Sequence, residues 1–324
     1  MKSKKIILAI LDNITWILLA SMVVLFATIS DRFLTSNNLI NILVHAAVLG
    51  IMVIGQSVTL ISGNFDLSAE STLGMAALVG AWLVSPAGDL THGSGWGVHP
   101  FAAVGVMLVV GLVIGWINGN LITRLKMNNF VVTLAMLIIV RGVMLGFTKG
   151  NTITKMPDLF RALGRNDVGP IPISVITMLL AFVIAWVVFR YRRFGRDLYA
   201  IGGDEEAALA SGIDPKKRIR QAYLVSGVLA GFAGWMMAGR LGAIVAGLGE
   251  GMIFEVQAAA VIGGISLFGG RGSMLGALGG VLLLSVIDSG LHLARVSVFW
   301  IQAVRGIVIL LAMIIDAQRV RFSG

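Results

Sequence analysis

The chain has 324 residues, of which 57% are hydrophobic and only 13% charged, with a mean hydropathy of +0.92. A soluble domain carries roughly a quarter charged residues, and a globule of this length lacks the interior to hide so much apolar surface, so the main solvent is lipid. The net charge of +9 does not mark a nucleic-acid binder, since the basic residues lie in short loops between apolar runs; zero cysteines exclude disulfides, Cys-ligated zinc and thiol catalysis.

The start, "MKSKKIILAILDNITWILLA", pairs basic residues with an apolar run, as a signal peptide does. Asp12 and Asn13 interrupt the run and no A-x-A cleavage signal follows, which predicts a retained first span. Runs able to cross about 30 Å of hydrocarbon then recur at 14–30, 39–61, 67–84, 101–123, 128–147, 172–189, 221–241, 253–268, 274–292 and 299–316. The third and eighth are short and rich in Gly, Ser and Ala, so a broken or re-entrant path is expected there. The predicted fold class is an all-α polytopic membrane protein of about ten segments, forming a single transmembrane domain over 1–324.

With the N-terminus inside, sixteen basic residues fall in inner segments and seven in outer ones; Arg141 and Arg305 are left within spans. The bias predicts that both termini face the cytoplasm. The outer loop 148–171, with four basic residues, runs against it. The other substantial outer loop is 85–100, and the largest inner loop is 190–220.

Nucleotide and catalytic motifs are missing. "GGRGSMLG" at 269–276 has the glycines of a phosphate loop but no lysine to reach the phosphates. H-E-x-x-H and G-x-S-x-G are absent, and His45, His92, His99 and His292 are scattered. No catalytic or metal-ligating residue is expected, and any ATP-driven work must come from another subunit. Glycines instead recur at G-x-x-x-G spacing, as Gly111/Gly115/Gly119, Gly227/Gly231 and Gly272/Gly276/Gly280. Their recurrence in several spans favours packing within the chain over a dimer seam.

A charge at the centre of a span costs about 2.5–3.5 kcal/mol on insertion scales, so Arg141, Glu255, Asp288 and Arg305 need partners, a watery cavity or an interface. Arg141 falls in the outer half of its span, where snorkelling is open to it. Glu255 fits either a pathway role or a structural ion pair. The densest polar stretch is "GQSVTLISGNFDLSAESTLG" at 55–74, where Gln56, Asn64, Asp66 and Glu70 could meet a hydroxylated substrate. An ordinary inner turn with Asp66 capping the next helix accounts for it equally well.

Residues 202–214, "GGDEEAALASGID", form a short helix signal in the inner loop. Asp204 is a good N-cap, Glu205 and Glu206 suit the first turn, Gly212 suits the C′ position and Pro215 blocks continuation. A helix of two turns is marginal alone in water, so the membrane surface, its own spans or a partner must hold it.

This stretch closely resembles the EAA-type cytoplasmic loop of permease subunits of bacterial ABC importers. "LISGNFDLSAEST", "MNNFVVTLAMLIIVRGVML", "FGRDLYAIGGDEEAALASGI", "AAAVIGGISLFGGRGSMLGALGGVLL" and "VSVFWIQAVRGIVILLAMIID" fall in the order seen in the ribose/galactose/arabinose/xylose-type permeases, over nearly the whole chain. The resemblance implies a multi-pass permease of the bacterial cytoplasmic (inner) membrane, importing a monosaccharide or similar polyhydroxylated molecule by alternating access. It implies two cytoplasmic ATP-binding cassette ATPases that hold the ATP and Mg, an external substrate-binding protein, and a second permease subunit in a homodimer. Lipid is the remaining partner, and nucleic acid is not one. Loop 190–220 becomes the coupling loop, with Glu205, Glu206, Ala207, Ala208 and Gly212 as coupling positions. Gln56, Asn64, Asp66, Asn129 and Glu255 become the candidate pathway. The chain departs from the pattern at "SGNFDLSAES", where relatives read close to "GGIDLSVGS", and at Asn128-Asn129, where many have a proline pair. Pentose, hexose, nucleoside and related cargoes stay open. A secondary transporter driven by an ion gradient would explain the spans but not this loop.

Overall fold

The computed structural model describes residues 13–86 and 95–297, with scattered positions between 299 and 310. Most of the predicted last span, together with Arg305 and the basic residues of both ends, lies outside the described residues. The helices are α1 (Ile14–Ile29), α2 (Ser36–Ile61), α3 (Ala69–Val84), α4 (Pro100–Arg124), α5 (Asn129–Thr148), α6 (Asp158–Arg165), α7 (Ile173–Tyr191), α8 (Arg193–Gly203), α9 (Glu205–Ala210), α10 (Pro215–Leu241), α11 (Met252–Ile262) and α12 (Met274–Leu293). An antiparallel pair of two-residue strands, β1 (Asp167–Val168) and β2 (Ile171–Pro172), joins α6 to α7.

Among the described residues six helices, α2, α4, α5, α7, α10 and α12, are long and apolar enough to cross a membrane; α1, α3 and α11 are apolar but shorter. At 1.5 Å per residue α11 reaches only about 16 Å, half the hydrocarbon thickness. The run predicted to 268 stops at Ile262 because Gly263 ends the helix and the chain then turns through Gly264 at φ +86°. The polypeptide returns through Gly269, Gly270 and Gly272, all at positive φ, and enters α12 behind Ser273, whose hydroxyl accepts from the Gly276 amide. The "GGRG" glycines thus build a tight turn that residues with a side chain rarely adopt.

Helix α10 is the axis of the molecule, packed against α2, α3, α4 and α6. Its Gly227 and the Gly111 of α4 sit so close that a Cβ on either would overlap the other's carbonyl; Gly115 meets the Tyr223 carbonyl in the same way. On the second seam, Gly276 and Gly280 of α12 lie against the backbone of Gly263 and Ala259. The G-x-x-x-G ridges are intramolecular seams, as their recurrence suggested. Helix α2 is buried without a break from Ala46 to Ile61, whereas α5 and α7 leave apolar faces such as Ile138/Ile139/Val143 and Leu180/Val183/Ile184 uncovered by protein. In a chain whose solvent is lipid, those are the lipid-facing surfaces.

The loop expected at 148–171 is more ordered than its composition suggested. Phe160 of α6 is buried, the Trp235 indole donates to its carbonyl at 2.7 Å, and Ile153 pairs with Ile244 in an isolated bridge. Phe160, with Leu163 packed beside it on the core and Gly164 against the α10 backbone, docks this amphipathic eight-residue helix on the end of α10.

Candidate functional site

The inner loop expected to couple is built as two consecutive caps around a helix of six residues. Asp204 has an extended backbone and its carboxylate accepts from the Ala207 amide at 2.9 Å. At the far end the Gly212 amide donates to Leu209 and the Ile213 amide to Ala208, with Gly212 at φ +82°; this is the Schellman arrangement. Asp214 then caps α10 by accepting from the Lys217 amide at 3.0 Å, with Pro215 in the first turn, where its missing N–H costs nothing. So Pro215 opens the next helix as well as closing off the last one.

What holds α9 is its own chain. Ala208 is buried in a small cluster with Ile201, Ile219 and Tyr223, and Ile213 packs against it. Glu205, Glu206, Ala207 and Gly212 are exposed, as is Leu209. Of the five predicted coupling positions, four face outward and Ala208 is the inward anchor.

Glycines also place α9 against the membrane-embedded part. Gly202 at the end of α8 touches the Ile61 carbonyl and the Gly270 amide so closely that a Cβ there would overlap both. The Gly270 amide donates to that same Ile61 carbonyl at 2.9 Å, and the Tyr199 hydroxyl donates to Gly272 at 2.8 Å. Burial pushes the Tyr199 phenol above its ordinary pKa, which keeps it a neutral donor. Three chain segments, the end of α2, the end of α8 and the α11–α12 turn, meet at this point.

The linker after α2 carries two of the predicted pathway residues. The Asp66 carboxylate accepts from the Ser68 amide (3.1 Å) and hydroxyl (2.6 Å) with one oxygen and from Ser226 of α10 (2.7 Å) with the other. Ser68, not Asp66, stands at the N-cap of α3. Asn118 of α4 donates to the Ser68 hydroxyl at 2.8 Å, and Tyr223 donates to the Phe65 carbonyl at 2.7 Å. All these polar atoms are withdrawn from water, and mutual satisfaction is what makes that tolerable. Asp66 is thereby the knot that ties α3, α4 and α10 together.

Asn64 looks the other way. Its Oδ1 accepts from Asn129 Nδ2 at 3.0 Å, while its own amide donates to Ser62. Asn129 is the first residue of α5, set there by Asn128, whose side chain accepts from the Phe130 and Val131 amides. Asn64, Asn129, Ser62, Thr123 and Glu205 line one cavity of about 450 Å³, with Lys126 and Lys216 among its walls. Residues assigned separately to pathway and to coupling share one space. Gln56 and Glu255 do not join them: Glu255 is half-buried in the first turn of α11, and Gln56 is fully buried in α2. Among the described residues neither polar atom of the Gln56 side chain finds a hydrogen-bond partner.

The main feature missed in the sequence is an ion pair. Arg141 turns inward instead of snorkelling: its guanidinium meets Glu70 at 3.2 Å and donates to the Leu248 carbonyl at 2.9 Å. The other Glu70 oxygen accepts from the Ile253 amide at 3.1 Å, at the start of α11. The sequence offered only two opposite charges in separate apolar runs, 67–84 and 128–147, with nothing to pair them. Asp288 has the structural partners expected of it, His292 at 3.7 Å and His45 at 4.0 Å.

This is an α-helical, polytopic integral membrane protein with a capped helix displayed beside a polar junction. The chain belongs to the branched-chain amino acid transport system / permease component family, whose model matches residues 38–313. It is 38% identical over 301 residues to the ribose import permease protein RbsC of Bacillus subtilis, covering 92% of this chain and 90% of that one. The RbsC of Escherichia coli K12 is 33% identical over 314 residues (96% and 95%), and its galactose/methyl galactoside import permease protein MglC is 32% identical over 301 residues (89% and 88%). No solved structure matches the chain significantly.

Proposed function

We propose that this protein is the membrane-spanning permease subunit of an ATP-driven importer, moving a monosaccharide or a similar polyhydroxylated molecule into the cytoplasm of a bacterium by alternating access. The observation that carries this reading is α9: a doubly capped helix anchored inward by Ala208 and presenting Glu205, Glu206, Ala207 and Gly212 outward, in a chain of a permease family. An outward face on so short a helix suits insertion into a partner, here a cytoplasmic ATPase that binds the ATP and Mg. An external substrate-binding protein delivers the cargo, and a second copy of the chain completes a homodimer. In this reading the chain has ten spans, both termini in the cytoplasm and α9 on the cytoplasmic side. Gln56, Asn64, Asp66, Asn129 and Glu255 are its polar groups along the path. Ribose, galactose and allose, the sugars for which similar import permeases are named, are the first cargoes to try.

The test is uptake of radiolabelled sugar into proteoliposomes holding the permease, its ATPase and the binding protein. Uptake is expected only with hydrolysable ATP. Uptake that persists without ATP under an imposed ion gradient would establish a secondary transporter instead.

A further inference from the structure

We propose that the cavity between the Asn64–Asn129 pair and α9 is a cytoplasm-facing binding site for the neutral polyhydroxylated cargo, occupied just before release. Its size, about 450 Å³, lies within the usual range of small-molecule sites. Its polar lining is chiefly two amides and two hydroxyls, from Asn64, Asn129, Ser62 and Thr123. The Ser62 and Thr123 hydroxyls donate to the Thr59 and Gly119 carbonyls and the Asn64 amide donates to Ser62, so these hydroxyls face a sugar as acceptors, with Lys126 and Lys216 as donors. Asn129 meets Asn64 with its amide nitrogen, so its carbonyl oxygen stays available to a ligand hydroxyl. The charges in the wall are two bases and one acid, Lys126, Lys216 and Glu205, which add charged donors and an acceptor for the hydroxyls of a neutral polyol.

The position of Glu205 gives the site its control. It stands in the first turn of α9 and in the cavity wall at once, so displacement of α9 changes the cavity directly. The Asn64–Asn129 hydrogen bond closes another wall between the α2–α3 linker and α5. A bond of this kind contributes about 0.5–1.5 kcal/mol net, weak enough to open and reform in each cycle. The site thus senses the ATPase through one wall and the membrane path through another.

This inference rests on the importer reading, and one experiment separates the two. The chain has no native cysteine, so Asn129→Cys gives a single thiol, with Asn64→Cys as a second probe and Lys217→Cys, outside the cavity, as a control. Each is reconstituted with the ATPase and binding protein, and thiol modification from the cytoplasmic side is timed with and without D-ribose, D-galactose or D-allose. For the transported sugar at about ten times its half-protecting concentration, mass action makes modification of Asn129→Cys about tenfold slower, with Lys217→Cys unchanged. Co-purification with the ATPase certifies assembly, and the Asn64 probe decides if the Asn129 variant fails that check. An unchanged rate in the cavity while ATP-driven uptake by the unaltered protein is intact overturns the site alone. Loss of ATP dependence in the unaltered protein overturns the importer reading.

Discussion

Arg141 shows how a membrane changes the consequence of one side chain. A buried ion pair gains little over a well-packed apolar pair, but losing one partner strands the other charge at a cost of about 3–5 kcal/mol. Arg141→Ala leaves Glu70 with only the Ile253 amide, so its unfolding in detergent is expected to show a loss of that size. The double substitution Glu70→Gln with Arg141→Met removes both charges and should recover much of it. Equal losses in both variants would mean that the pair is not desolvated. Asp66 works by the same logic: two of its three hydrogen bonds hold Ser68 within the linker and the third ties the linker to Ser226 of α10. Either role read from its sequence, pathway or helix cap, treated it as one residue acting locally; its contact with Ser226 lies 160 positions away.

Among the elements, α9 was the most legible. Its caps are hydrogen bonds between residues no more than five positions apart, and local chemistry decides them. Asp204→Ala removes the one side-chain cap and costs the helix about 1 kcal/mol, so amide exchange within 205–210 should quicken about fivefold while exchange in α10 holds. An unchanged rate would mean that the Ala208 contact alone sets the helix. The long spans were equally readable, with ends within a few residues of their predicted positions wherever the apolar run itself ends. The exceptions share a cause. Helix α10 begins at Pro215, six residues before the apolar run, because Asp214 caps a basic first turn that hydropathy cannot see. Helix α11 ends early because its glycines are shaped by the turn that brings Gly270 onto Ile61. In the site, neither the Asn64–Asn129 contact nor Glu70–Arg141 could be read, since both join residues more than sixty positions apart. Asn128, an apparent departure from a proline pair, opens α5 with a side-chain cap.

For the whole molecule, the importer reading proposed above requires that motion of α9 be passed on by something stiff enough not to absorb it. Backbone-to-backbone contact meets that requirement, since it contains no side-chain torsion that could rotate away. Gly202 makes such a contact with Ile61, at the end of the buried stretch of α2, and with Gly270 in the turn before α12. A displacement entering at α9 therefore reaches two membrane helices through one point. Gly202→Val places a branched side chain where even a Cβ overlaps the Ile61 carbonyl, and α8 must lift away from α2. Overpacking of this kind typically costs about 1–3 kcal/mol, which a folded membrane protein can survive. The exposed face of α9 is untouched, so the ATPase should still bind and hydrolyse ATP. Sugar uptake per ATP hydrolysed, measured in proteoliposomes, is expected to fall about tenfold, the effect of about 1.4 kcal/mol on the coupled step. A variant with normal uptake per ATP would show that force travels by another route, whereas loss of both activities with loss of the ATPase would mean that Gly202 serves assembly.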